Sequence, residues 1–217
     1  MTSVAVIDYG MGNLRSVSKA LEHALPGTRV QVTADADAIL GADRVVFPGQ
    51  GAIGDAMAEL QRRQLAPVIR EAMASKPFLG ICLGLQVLME HSEEDGGTDG
   101  LGLIPGRVRR FPAELHDLDS GARLKVPHMG WNHVHQERPE HPLWRGIAQD
   151  SRFYFVHSYY VDAANPAVVT GTTDYGLEFV SAAGHDNIFA VQFHPEKSQH
   201  AGLALLENFL RWDGQGT

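Results

Sequence analysis

The sequence predicts a single-domain α/β fold in which a mixed, mainly parallel sheet is flanked by helices and carries an antiparallel β extension. Three observations carry this. Short, continuous apolar runs alternate with helical patterns through the first ninety residues, and strands apolar on both faces belong in a parallel sheet covered on both sides. The second half turns β-rich, with polar and glycine-rich connections. The chain has 217 residues, 44% hydrophobic and 20% charged. That suits one large domain, and no linker, internal repeat or low-complexity tract divides residues 1–217.

The elements follow in order. Residues 4–7 form an apolar strand, ended by Gly10 and Gly12. Leu14, Val17, Ser18 and Leu21 then fall at i, i+3, i+4 and i+7, one face of a helix that Pro26-Gly27 closes. Residues 30–32 and 44–47 are the second and third strands. A helical region from about 53 to 74 follows, with Pro67 as a break or first-turn residue. Residues 78–82 are a fourth, buried strand leading into a helix over 83–91, and 93–102 is an acidic, glycine-rich surface loop. Further strands are predicted at 107–111, 131–135, 153–160, 168–173, 177–182 and 187–194. A closing helix spans 198–212, with Ser198 as N-cap and Gly202, Leu205, Leu206, Phe209 and Leu210 as its buried stripe.

Composition excludes several functions. Eighteen Lys and Arg against twenty-six Asp and Glu give a net charge of −8, so nothing electrostatic favours nucleic acid. One cysteine forms no internal disulfide and fits a reducing cytosol. The N-terminus lacks a basic leader region, and no uncharged apolar run approaches the ~18 residues of a membrane span. A soluble, cytoplasmic protein is expected, without membrane or nucleic-acid partners.

The most informative segment is Leu79-Gly80-Ile81-Cys82-Leu83-Gly84-Leu85-Gln86. It sets Cys82 in G-x-C-x-G at a strand-to-helix junction, a nucleophile elbow with sulfur as the nucleophile. The flanking glycines make room for a sharp turn. The first amides and positive end of the following helix favour thiolate, and the Leu83 amide is an oxyanion donor. A lone buried cysteine is more often a small apolar packing residue. The C-terminal segment Gln192-Phe193-His194-Pro195-Glu196 decides against that here. Pro195 holds His194 extended, so positions 194 and 196 face one way and the carboxylate can orient the imidazole. By itself a His-Pro turn would simply cap the last helix. With the elbow cysteine it reads as a Cys82–His194–Glu196 triad, in a chain order unlike the α/β-hydrolases.

These two segments resemble the class I glutamine amidotransferases, and the resemblance runs from the first strand to the last helix. Three more segments are similar to one branch, the glutaminase subunits of imidazole glycerol phosphate synthase in histidine biosynthesis. They are Asp8-Tyr9-Gly10-Met11-Gly12-Asn13-Leu14, Pro127-His128-Met129-Gly130-Trp131-Asn132 and Phe153-Tyr154-Phe155-Val156-His157-Ser158-Tyr159. The resemblance implies a flavodoxin-like fold and hydrolysis of glutamine to glutamate and ammonia through a γ-glutamyl thioester on Cys82. It also implies a second oxyanion donor at Gly51 in Pro48-Gly49-Gln50-Gly51, and contacts to glutamine from Gln86, Ser158 and Tyr159. Tyr154 would border the exit of ammonia.

The amidotransferase pattern occupies the chain and leaves no room for a synthase domain. Ammonia released into neutral water becomes ammonium and loses its nucleophilicity, so a channelled partner is expected. The resemblance implies a (βα)8-barrel cyclase that joins in a heterodimer and yields imidazole glycerol phosphate and an aminoimidazole carboxamide ribotide. Asn13, Trp131, Asn132 and Lys197 are the candidate interface residues.

Gly49-Gln50-Gly51-Ala52-Ile53-Gly54 matches G-x-G-x-x-G, but the acid expected about twenty residues on falls in a helical stretch, so the dinucleotide reading ranks below the oxyanion loop. His133 and His135 share a strand face without a third ligand at a zinc spacing. No metal and no cofactor are expected. Two alternatives stay open: an amidotransferase subunit of anthranilate, purine or pyridoxal phosphate synthesis, and a non-enzymatic cysteine sensor on a flavodoxin-like sheet.

Overall fold

The computed structural model describes residues 2–117 and 119–215. The N-terminal half builds β1 (Ser3–Ile7), α1 (Leu14–Ala24), β2 (Arg29–Thr33), α2 (Ala36–Gly41), β3 (Arg44–Gly49), α3 (Ile53–Arg62), α4 (Leu65–Ser75), β4 (Phe78–Cys82) and α5 (Leu83–Gln86). Then come β5 (His91–Ser92), β6 (Thr98–Asp99), β7 (Gly106–Arg110), β8 (His128–His133), β9 (His135–Gln136), β10 (Arg152–His157) and β11 (Tyr159–Ala163). The chain closes with β12 (Val169–Asp174), β13 (Glu178–His185), β14 (Ile188–Val191) and α6 (Gln199–Arg211).

The main sheet runs β2-β1-β3-β4-β14-β13-β11-β7-β5-β6, with β12 and β9 beside β13. Its first five strands are parallel, and β14–β13, β13–β11 and β11–β7 are antiparallel. The parallel centre and antiparallel extension are those the residue pattern predicts. Alternate residues of each central strand enter opposite cores, as the two-residue period demands. Ala5, Ile7, Val45 and Phe47 face one, with α2, α3 and α4; Val4, Val6, Val46, Leu79 and Ile81 face the other, with α1 and α6. The stripe of α6 is buried as expected, at Gly202, Leu205, Leu206, Phe209 and Leu210.

Several boundaries differ, each for a tertiary reason. The helix after β4 is one turn long rather than reaching His91. The carbonyls of Val87, Leu88, Met89 and Glu90 accept from the amides of residues 100–104 instead. The predicted strand 153–160 is two strands broken at Ser158. β10 pairs with β8 in a separate two-stranded ribbon, whereas β11 pairs with β7 and β13 in the main sheet. The strand predicted at 131–135 is β8 plus β9, and that predicted at 187–194 ends its ladder at Val191. The helical stretch breaks at Gln64, which is left-handed (φ 56°), and Pro67 sits in the first turn of α4, where no amide is needed. α2 was not evident in the sequence; Asp35 caps it, its Oδ1 accepting from Ala38 N at 2.8 Å. Ser198 stands at the N-cap of α6 without capping it. Its hydroxyl donates to the His194 carbonyl (2.6 Å) and accepts from Tyr154 N (3.0 Å).

Candidate active site

The residues singled out by sequence converge at the C-terminal ends of the parallel strands, where an open α/β sheet offers a crevice. Cys82 ends β4 with φ 55° and ψ −108°, a conformation a residue with a side chain holds only when its surroundings impose it. Those surroundings are the flanking glycines. A Cβ on Gly84 would run into the Phe47 carbonyl oxygen, and one on Gly80 would come within 2.9 Å of the Ala190 methyl. Helix α5 therefore lies hard against β3. Because α5 is a single turn, no long helix dipole stands behind the sulfur.

His194 follows β14 and is 3% exposed; Cys82 is 6% exposed. The His194 Nδ1 lies 2.8 Å from Glu196 Oε1, and both side chains are buried. The carboxylate orients the ring through Nδ1, leaving Nε2 free of it. Nε2 is buried with no hydrogen bond closed to it, and the Cys82 thiol lies close enough to act on the ring's charge. Burial opposes protonation of His194. The Cys82 sulfur and the Glu196 carboxylate outweigh it and push the imidazole up to about 10. Such a ring holds a proton at neutral pH, ready to deliver it to a leaving group.

A cleft of about 290 Å³ opens in front of the sulfur, lined by Gln50, Gly51, Cys82, Leu83, Gln86, Glu94, Pro127, Val156, His157, Ser158 and Tyr159. The proposed oxyanion residues Leu83 and Gly51 and the proposed glutamine contacts Gln86, Ser158 and Tyr159 all border it. Gly51 has φ 107°, a turn open to glycine alone. Gln86 Nε2 donates to the Tyr159 carbonyl (3.1 Å) and to Gln192 Oε1 (3.0 Å). Gln192 Nε2 in turn points at Cys82 Sγ, 3.7 Å away.

Two residues of this site escaped the sequence reading. Glu94, from the segment read as a surface loop, turns into the cleft. Its Oε2 accepts from Ile53 N at 2.8 Å, and burial raises its pKa. The acidity of the loop was visible, but its docking on α3 was not. Tyr9 is fully buried with an unpartnered hydroxyl, and a Cβ on Gly49 would collide with that oxygen. Burial, and then the charge of Cys82, push the phenol upward.

Of the candidate interface residues, Trp131 and Lys197 share the Tyr154 ring, and Asn13 and Asn132 make local hydrogen bonds. Trp131 is 37% exposed and packs edge-on to Tyr154 at 6.0 Å, while the Lys197 ammonium lies 5.9 Å from the centroid of the Tyr154 ring. Asn132 donates to the Asp174 carbonyl at 2.7 Å. Asn13 caps α1, accepting from Ser16 N at 3.3 Å. His135 pairs with Asp150 at 2.9 Å.

Residues 5–212 match the family model of "Glutamine amidotransferase class-I". The chain belongs to the class I glutamine amidotransferases. Among amidotransferase relatives it is 62% identical over 213 residues to the "Imidazole glycerol phosphate synthase subunit HisH" of Methylococcus capsulatus, covering 98% of each chain. It is 59% identical over 212 residues to that of Aromatoleum aromaticum (98% and 99% covered) and 57% identical over 215 residues to HisH 1 of Pseudomonas aeruginosa (99% of each). Solved amidotransferase-like folds are more distant. PurLQS from Thermotoga maritima superposes with TM-score 0.73 at 18% identity, covering 97% of this chain and 98% of that one. A glutamine amidotransferase superposes with TM-score 0.70 at 16% identity, with 96% and 97% covered. No helix among the described residues of this amidotransferase is long and apolar enough to cross a membrane.

Proposed function

We propose that this chain is the glutaminase subunit of an imidazole glycerol phosphate synthase, hydrolysing glutamine and passing ammonia to a separate cyclase subunit. What supports the reading is Cys82 at the cleft wall, with the buried His194–Glu196 pair close enough for the sulfur to act on the imidazole. It sits in a chain about 60% identical, nearly end to end, to relatives named as that subunit.

The Cys82 thiolate attacks the side-chain carbonyl carbon of glutamine, and the amides of Leu83 and Gly51 take the oxyanion. One oxyanion-hole donor is typically worth roughly 3–4 kcal/mol. The His194 imidazolium protonates the nitrogen of the tetrahedral adduct, the C–N bond breaks, and the nitrogen leaves as ammonia. Neutral His194 then removes a proton from water, which attacks the γ-glutamyl thioester. The C–S bond breaks, glutamate leaves, and the Cys82 thiolate and His194 imidazolium are restored. Glu196 holds the ring and stabilises its charged form throughout. Gln86, Ser158 and Tyr159 hold the substrate, and the Glu94 carboxylate supplies the negative charge that the α-ammonium group of glutamine needs.

Ammonia leaves past Tyr154 to a (βα)8-barrel cyclase, held as a heterodimer in the cytoplasm through the side carrying Asn13, Trp131, Asn132 and Lys197. Residues 1–217 act as one domain. The test is glutamate release by the chain with and without its cyclase, together with labelling by a glutamine-mimicking electrophile. Weak turnover alone, activation by the cyclase and a label on Cys82 support the reading. Full turnover by the lone chain or a label elsewhere overturns it.

A further inference from the structure

The proposed mechanism uses one buried histidine, and two others lie beside it, His157 in the cleft wall and His128 behind it. His128 opens β8 and His157 closes β10, and they are cross-strand partners in the two-stranded ribbon. His128 Nδ1 is 3.0 Å from His157 Nε2, and His157 Nδ1 is 2.7 Å from the Tyr159 carbonyl oxygen. These contacts dictate where the protons sit. A carbonyl only accepts, so the His157 Nδ1 carries hydrogen and donates. The neutral ring's Nε2 is then an acceptor, so His128 donates from its own Nδ1. That leaves His128 Nε2 to accept, and Asn132 Nδ2 stands 3.4 Å from it. Burial keeps both rings uncharged, holding His128 near 4 and, with His128 and His194 nearby, His157 near 3.

The rings cannot swing. His128 is sandwiched between Tyr175 (centroids 3.9 Å apart, 22° between planes) and Phe155 (4.8 Å, 20°). His157 packs against Phe111 at 5.3 Å and Phe179 at 5.2 Å. The inner end of this line is the Tyr159 carbonyl, which also takes the Gln86 amide that leads through Gln192 to Cys82 Sγ. The outer end is β8, whose outward side chains Met129 and Trp131 are 62% and 37% exposed. A pair of phenyl rings would fill an aromatic pocket without the desolvation that two imidazoles suffer. Directed hydrogen bonds, unlike phenyl rings, fix where the Tyr159 peptide sits.

We propose that His128 and His157 are positioning residues, forming a rigid strut through which strand β8 sets the Ser158–Tyr159 wall of the glutamine pocket. A partner seated on β8 thereby changes glutamine binding at a wall it does not touch. This deepens the glutaminase reading and rests on it.

The test uses the full chain in complex with its cyclase. His128→Phe keeps the stacking and removes the donor; His128→Asn places an amide N–H where Nδ1 stood. The expected result is a glutamine KM raised about tenfold in His128→Phe with kcat within about twofold, and KM largely restored in His128→Asn, since one hydrogen bond is worth roughly that much. A wild-type KM in His128→Phe, or equal impairment in both variants, overturns the strut. Nitrogen NMR of the wild-type chain with labelled histidine gives a readout that does not depend on the variants folding. Both rings are expected as neutral Nδ1–H tautomers at pH 7, and Nε2–H or charged rings refute the proposal. A wild-type complex that does not consume glutamine would sink the glutaminase reading, while the NMR result still judges the strut.

Discussion

Lowering the pH from 7 to 5 should strip this fold of much of its stability, through three buried histidines. Burial holds His128 and His141 near 4 and His157 near 3, against 6.5 for the same side chain in an unfolded chain. The sign follows from proton binding. Below pH 6.5 the unfolded chain takes up protons that the folded chain refuses, so stability falls as pH drops from 6.5 toward the folded values. At pH 5 an open ring is almost fully charged and a ring with pKa near 4 almost neutral. Each well-buried ring then costs about 2 kcal/mol relative to pH 7. His141, in more open surroundings, contributes less. His194 opposes the trend. Its folded pKa is raised to about 10, so its contribution is complete below 6.5 and is lost as pH climbs toward 10; between pH 7 and 5 it gains under about 1 kcal/mol. The net loss is about 4 kcal/mol, a large part of the roughly 5–15 kcal/mol that holds a typical domain together. Carboxylates held low, such as Asp43, Glu59 and Asp117, act below this window. Urea unfolding followed by the fluorescence of the buried Trp144 and Trp212 at pH 7, 6 and 5 measures the slope. His141→Asn retains an acceptor for Leu143 N, which His141 Nδ1 now accepts at 3.2 Å, and should flatten the slope by that ring's share. Stability constant within about 1 kcal/mol across the range, or a slope unchanged in His141→Asn, would refute the reasoning.

Other expectations follow from the same geometry. Cys82→Ala should lower glutamine-dependent synthesis by the complex at least roughly a thousandfold and leave ammonia-dependent synthesis largely intact; loss of both activities would make Cys82 structural. Glu94→Gln keeps an acceptor for Ile53 N but removes the charge, so glutamine KM should rise roughly 10- to 100-fold with kcat little changed, as steady-state kinetics would show. Gly84→Ala drives a methyl into the Phe47 carbonyl; calorimetry should find Tm lower by roughly 5–10 °C, the scale of overpacking in a chain this size. Trp131→Ala should weaken association with the cyclase by about tenfold or more without moving the melting temperature of the free chain, and titration calorimetry distinguishes the two effects.

Local chemistry was enough to reveal the parallel centre and the residues proposed to react. Phe78–Cys82 is apolar throughout because both its faces are covered, and Gly80 and Gly84 flank Cys82 because their neighbours leave no room for a Cβ. His194 and Glu196 do meet, but across the 3-10 turn Pro195–Lys197 rather than on one face of an extended segment. What the chain order could not disclose were contacts set by distant segments. Helix α5 stops at Gln86 because amides from residues 100–104 take the carbonyls it needs. Glu94 enters the cleft because α3 offers it an amide, and Ser158 is a corner because β10 and β11 join different sheets. Periodicity and turn chemistry are properties of neighbours in sequence, and so they can be read along the chain. The choice of partner for a free carbonyl, a buried carboxylate or a histidine ring is made between segments that meet only in the folded molecule.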